Sequence, residues 1–226
     1  MKNLTTFAIV ATTLICNGAK ADEDIKWSAA LKVWDAALSQ PDNHNGMQMH
    51  TSASSSAGNI AITAKKGDYF VTASALLPTS YDYGSGNYLH RNDTDLAFGW
   101  HFSESFSVLI GQKRISYIDG TVGAQQQAIN STYAGLSGAK LISDRGFIYG
   151  TLIYGLHTKN SGDQPSSNYK ESMDAEEIGY GYALDKTTQL TVGYKIQHVN
   201  SHYNPQNIDF NSSVGGVIFG ANFNFN

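Results

Sequence analysis

Apolar residues recur at every second position along most of this chain, and no other feature restricts its fold so strongly. Ile25, Trp27, Ala29, Leu31 and Val33 fall on one side of an extended strand, and Lys26, Ser28, Ala30 and Lys32 fall on the other. The set steps by two, the period of a strand whose successive side chains point to opposite faces, although an amphipathic helix over 25–38 is an alternative for this segment. The same alternation predicts a second strand near 57–65 with Ile60, Ile62 and Ala64 on the apolar face. A third, near 69–77, shows Tyr69, Val71, Ala73, Ala75 and Leu77. Near 93–102, Leu96, Phe98, Trp100 and Phe102 alternate with Asp93, Asp95 and His101. Near 106–117 the pattern starts as Phe106, Val108, Ile110 and blurs at Lys113-Arg114. Segments 131–141 and 147–157 are rich in Gly and Tyr, and their facing stays open. Two clear strands follow, one with Ile178, Tyr180, Tyr182 and Leu184 opposite Glu177, Gly179 and Gly181, the next with Leu190, Val192, Tyr194 and Ile196 opposite Thr191, Gly193, Lys195 and Gln197. Phe219, Ala221, Phe223 and Phe225 close the series.

The connections alternate short and long. Lys66-Gly67-Asp68, Ser103-Glu104-Ser105, Ser143-Asp144-Arg145-Gly146 and Asp185-Lys186-Thr187 are short; polar stretches near 40–55, 78–92, 118–130, 158–173 and 199–212 are long. No run after the N-terminus approaches the ~20 apolar residues of a membrane helix. The mean hydropathy is −0.28, yet one face of each strand is apolar, nearly uncharged and edged with aromatics. A transmembrane β-barrel resolves that conflict, because lipid-facing and lumen-facing residues alternate and tight turns at one end oppose long loops at the other. A soluble β-sandwich also has many short strands, but its outer faces are polar. We therefore expect an all-β, closed, antiparallel, up-and-down transmembrane β-barrel of about ten strands of roughly 10 residues, with eight or twelve as alternatives.

The N-terminus fits export. Lys2 precedes a short apolar stretch from Leu4 to Cys16, and Ala19-Lys20-Ala21 has the small-x-small pattern of a cleavage site. Ile15 before Cys16 is too bulky for a lipoprotein signal. Residues 1–21 are thus expected to be a signal peptide and 22–226 the barrel domain, located in the bacterial outer membrane. Without Lys2 and Lys20 the chain holds 13 basic against 19 acidic residues, a formal charge of −6. No basic patch stands out, which argues against nucleic-acid partners.

The C-terminal Gly220-Ala-Asn-Phe223-Asn-Phe225 resembles the insertion signal of bacterial outer membrane β-barrel proteins, although Asn226 follows the last aromatic. The strand-turn style of Phe98–Gly111 resembles the small outer-membrane β-barrel domains. The resemblance covers residues 25–226 and implies outer-membrane lipid and the barrel assembly machinery as partners, with Gly220, Phe223 and Phe225 as the assembly signal. It is shared by porins, adhesins and enzymes, so it implies little about activity.

Candidate chemistry is sparse. Asp93-Thr94-Asp95 places two carboxylates on one side of a strand near its external end; the omptin proteases use acidic pairs near their rim and also need an Asp/His pair facing them across it. His101-Phe102-Ser103-Glu104 resembles the His/Ser part of outer-membrane lipid A deacylases, but falls at a short turn, the wrong end for external lipid. His44, His50, His90, His157, His198 and His202 lie in or beside the long loops without the spacing of a compact metal site. Lys26, Lys32, Asp93, Asp95, Glu177 and Lys195 alternate inward and are expected to form a lumen charge network, with Glu177 and Lys195 paired across neighbouring strands. We expect no cofactor, no bound metal and no catalysis, but a structural role or a narrow passage for small solutes. The alternative is an adhesin or ligand-binding barrel using external loops that carry Tyr81, Tyr83, Tyr88 and Tyr169; a rim enzyme acting on lipid or peptide is a third reading.

The mature protein should begin at Asp22, fractionate with the outer membrane and show heat-modifiable mobility on gels. N-terminal sequencing and membrane fractionation check this, and recovery of native protein in the soluble periplasm would sink it.

Overall fold

A computed structural model describes residues 24–44, 47–84, 87–119, 125–161, 169–203 and 208–225. The leader read in residues 1–21 lies outside them. Ten strands follow one another: β1 (Lys26–His44), β2 (Met47–Lys66), β3 (Tyr69–Gly84), β4 (Asn87–His101), β5 (Phe106–Asp119), β6 (Gln125–Leu141), β7 (Gly146–Asn160), β8 (Tyr169–Ala183), β9 (Thr188–Tyr203) and β10 (Ile208–Phe225). Each pairs antiparallel with its neighbours in sequence, and β1 pairs with β10 to close the barrel. The closing seam runs in unbroken register from Trp27↔Phe225 to Ser39↔Ser213. The alternatives of eight and twelve strands are excluded, and so is a helix over 25–38.

The four short turns fall where the sequence places them. Gly67 turns the β2–β3 hairpin with a φ of 56°, a conformation open to glycine at little cost. Asp185 fixes the β8–β9 turn by accepting hydrogen bonds from Thr187 N at 2.7 Å and Thr188 N at 2.8 Å. Those bonds, together with one from the Thr187 hydroxyl, hold its carboxyl below the usual range.

Around the half of the barrel nearest these turns, the outward face is a belt of exposed apolar residues. Trp27, Leu31 and Val33 on β1, Ile60 and Ile62 on β2, Phe98 and Trp100 on β4, Leu152 and Tyr154 on β7, and Phe219 and Phe225 on β10 all stand in the open. Water does not favour such a surface, whereas hydrocarbon does. No helix among the described residues is long and apolar enough to cross a membrane.

Beyond the belt the arrangement inverts. On β1 the apolar residues change sides at Val33-Trp34: Val33 faces out, but Trp34, Ala36 and Leu38 face in and are buried. On β5, Ile110 faces out, whereas Ile115 and Tyr117 are buried inside. β8 does the same between Met173 inside and Ile178 outside. The outer faces there carry Asp35, Ser56, Asn92, Thr94 and Arg114, all exposed. The far half is thus built as a water-soluble barrel is, apolar inside and polar outside. This corrects the expectation of long loops. The described residues of the stretches 40–55, 78–92, 118–130, 158–173 and 199–212 are strand apart from Ser161, so that strands hold 14 to 20 residues where a spanning strand needs roughly 9–11. They look like loops in the sequence because their outer face meets water and their alternation has changed phase.

β3 carries two extra residues, the second between Asp82 and Gly84, and β7 carries one. Between Leu76 and Thr79 β3 gains one against β4, at Leu77-Pro78, and β7 gains one near Leu156 against both neighbours. Pro78 has no N–H for a ladder, and a bulge tolerates that. Within the lumen, aromatic rings fold across glycines on the paired strand. Phe70 covers Gly99 and Phe147 covers Gly181, each pair in direct register, and a Cβ on either glycine would collide with the ring.

Val192→Arg, in the outward belt, should cost about 2–4 kcal/mol of stability. Ser137→Arg, on an inward and partly open position, should cost less. Urea titration of each variant refolded into lipid measures the difference; equal losses would contradict this assignment of faces.

Candidate functional site

The buried interior beyond the belt is organised around one cation. Arg91, on β4, is 1% exposed. Strand geometry places Asp93 two residues on and on the same face. Arg91 donates to both its oxygens, Nε to Oδ1 at 2.8 Å and Nη2 to Oδ2 at 2.6 Å. The same Nη2 donates to Gln197 Oε1 at 2.8 Å, which ties β4 to β9 across the lumen. Lys113 on β5 lies 3.4 Å from Asp93 and 3.9 Å from Asp95. Asp95 also accepts from the Tyr133 hydroxyl at 2.8 Å. The guanidinium carbon sits 5.8 Å from the Trp34 ring centre and 5.7 Å from that of Tyr117, within cation–π range. Leu38, Tyr81, Ile115, Met173 and Val214 pack around this group, each 2% exposed or less.

A second ion pair crosses nearer the short-turn end, where Lys32 Nζ on β1 lies 2.6 Å from Glu177 Oε1 on β8. Of the six expected lumen charges, Asp93 and Asp95 thus join through Lys113, and Lys32 joins Glu177. The expected Glu177–Lys195 pair does not form. The two stand in register on β8 and β9, but the Lys195 amine lies over the Trp34 ring, 5.1 Å from its centre. Lys32 reaches Glu177 instead because the curvature of the closed wall brings β1 within reach of β8. Lys26 is exposed at the start of β1 and stands apart from the network.

At the C-terminus Phe225 stands exposed on the outer face and Phe223 shares that face. Gly220 faces inward, where a side chain would meet the Thr191 hydroxyl and the Lys32 stem.

The weaker candidates also find their places. Asp93 and Asp95 are held by cations inside the wall rather than as an open rim pair. His101 Nδ1 is 2.7 Å from the Ser107 hydroxyl, while Ser103 accepts the Phe106 backbone N–H at 3.1 Å and serves the turn. The His90 ring lies tilted against that of Tyr88, with 4.6 Å between their centres. The side chains of His44, His50 and Tyr169 lie outside the described residues, and Tyr81 is buried inside rather than displayed. Among the described residues, no group of three or more His, Cys, Asp or Glu could hold a metal ion.

Sequence reasoning missed Arg91, Trp34, Gln197 and Tyr133. Arg91 shares the parity of Asp93 and Asp95, which was the available signal, but it fell in a stretch read as loop. Glu171, also in such a stretch on β8, lies among buried residues near Asn160 and Ser201. Its carboxylate oxygens are buried without a hydrogen-bond partner, and burial pushes the carboxyl above the usual value.

Below the Arg91 cluster, toward the short turns, the lumen opens into a cavity of about 290 Å³. Its wall includes Lys32, Asn59, Phe70, Thr72, Ser74, Asp95, Leu109, Lys113, Tyr133, Ile153, Glu176, Glu177, Lys195 and Ile218.

Ten antiparallel strands closed edge to edge, with an apolar belt outside and a charged lumen, give this chain the fold of the bacterial outer-membrane β-barrel proteins. The outer membrane protease OmpT from Escherichia coli superposes with a TM-score of 0.57 at 11% identity, over 92% of this chain and 99% of that one. An outer membrane channel from Pseudomonas putida F1 gives 0.45 at 10% identity, over 92% and 100%. Neisserial surface protein A gives 0.39 at 11%, over 88% and 97%. At these identities the likeness concerns the fold alone. No family model matches the chain, and no curated protein does.

Arg91→Met should destabilise the barrel by about 3–5 kcal/mol, since it leaves a buried carboxylate with a weaker partner. Adding Asp93→Asn should recover part of that loss. A double-mutant cycle from urea titrations measures both, and full additivity of the two losses would contradict the buried pair.

Proposed function

We propose that this protein is an integral, non-catalytic β-barrel of the bacterial outer membrane that keeps its lumen closed. It acts as a structural element or passes small solutes only through a narrow, intermittent path. One observation carries this reading: the fully buried Arg91, bonded to Asp93 and Gln197, in a packed plug with Trp34, Tyr81 and Tyr117. Side chains fill a barrel of this strand number, whereas wide aqueous pores need roughly 16–18 strands. Arg91 and Lys113 engage Asp93 and Asp95, and Lys32 engages Glu177, which supports structure over chemistry. Outer-membrane lipid is the partner of the belt, and the barrel assembly machinery that of Phe223 and Phe225. Export behind the leader of residues 1–21 belongs to the same reading.

A second reading has its own support. The strands continue past the belt and carry a tilted Tyr88–His90 ring pair at the far end of β4, a surface on which an external ligand could dock. A barrel with a formal charge of −6 does not suit nucleic acid.

In planar bilayers the wild-type protein should give small, intermittent currents, and Arg91→Ala should give larger and longer openings. Single-channel recording decides it: large, permanently open wild-type currents contradict the closed lumen.

A further inference from the structure

One cation of the cavity beneath the plug lacks a carboxylate partner. The charged side chains that line or cap it are Arg91, Lys32, Lys113 and Lys195 against Asp93, Asp95, Glu176 and Glu177, of which Glu176 alternates to the outer face of β8 and is exposed. Arg91 and Lys113 hold Asp93 and Asp95, and Lys32 holds Glu177. Among the described residues no carboxylate lies within ion-pairing distance of the Lys195 amine, which rests only on the Trp34 ring. A charge in a partly closed, low-dielectric lumen is costly unless something pairs with it.

The shape of the cavity limits what can do so. The plug closes it on the far side. Toward the short turns the inward residues Ser28, Ala30, Phe70, Phe147 and Asn222 are only partly covered, which leaves that end as the way in. Its wall combines an apolar surface of Phe70, Leu109, Ile153 and Ile218 with hydrogen-bonding groups at Asn59, Thr72 and Ser74. An apolar wall with a few placed polar groups is the usual make-up of a small-molecule site, and about 290 Å³ stands just below their usual range of roughly 300–1,000 Å³, which limits the occupant to a small molecule.

We propose that this cavity binds a small organic monocarboxylate, entering from the short-turn end, with its carboxylate on Lys195 and its apolar body against Phe70, Leu109 and Ile153. The site deepens the closed-barrel reading by naming a solute class, and rests on it only for the plug that ends the cavity. A single negative charge would pair with the Lys195 amine. An apolar body suits the wall better than a small hydrated ion does. A dianion would leave a second charge without a partner.

The test uses the full mature barrel refolded in detergent, with benzoate as the probe and benzamide as its uncharged analogue. Titration calorimetry should show saturable benzoate binding and at least about tenfold weaker benzamide binding, the scale expected for loss of a charge-assisted hydrogen bond. Lys195→Met keeps the stem and removes the charge; it should weaken benzoate about tenfold or more while heat-modifiable mobility stays intact. Lys195→Arg should retain most of the affinity. Benzoate and benzamide binding alike, undiminished benzoate binding to Lys195→Met, or no saturable benzoate binding to wild type would each overturn the proposal. Bilayer conductance is a separate measurement: an open pore with benzoate bound contradicts the plug alone, and a closed barrel without benzoate binding contradicts the site alone.

Discussion

Closure of the β1–β10 seam is the constraint on which the rest of this structure depends. A strand edge presents unpaired N–H and C=O groups, and in hydrocarbon each unpaired group costs several kcal/mol. With Trp27 to Ser39 bonded in register to Phe225 to Ser213, no edge remains around the belt. Closure also fixes which side chains meet inside. Lys32 reaches Glu177 only because the ends of the chain are joined; in an open sheet, β1 and β8 would stand far apart.

The wall then faces two solvents, and the molecule answers them with opposite patterns. Where the outer surface meets lipid, apolar residues point out and the lumen keeps Lys32, Glu177 and Asn59. Where it meets water, apolar residues turn in and Arg91 becomes the polar centre of an otherwise conventional core. The buried guanidinium is tolerable because its carboxylate, amide and aromatic neighbours replace water. The interior is open near the short turns and packed at the other end, and that gradient produces both the plug and the cavity below it.

Much of this was legible in the sequence, for a physical reason. Wherever one face meets lipid and the other a wet lumen, period-two alternation is strong, so the facing of β1 to β4, β8, β9 and β10 read directly from residues such as Leu96, Val192 and Phe219. The strand number and the four short turns followed from it. The alternation changes phase at Val33-Trp34 and again between Ile110 and Ile115, and there a fixed period fails: β5 blurred, and the strand extensions passed for loops. Arg91 was hidden for that reason. The choice of Lys32 over Lys195 as partner of Glu177 depends on contacts across the lumen, which pairwise strand neighbours do not reveal.

The extra residues at Leu77-Pro78 and near Leu156 bear on how such a wall can change over generations. A single residue gained inside a regular strand would turn every following side chain to the wrong solvent. A bulge absorbs the extra residue and returns the chain to its former facing, as Leu76 and Thr79 both point inward across theirs. These two points are therefore places where chain length can drift by one without inverting the wall. They divide β3 and β7 into a lipid-facing part and a water-facing part that are free to diverge at different rates.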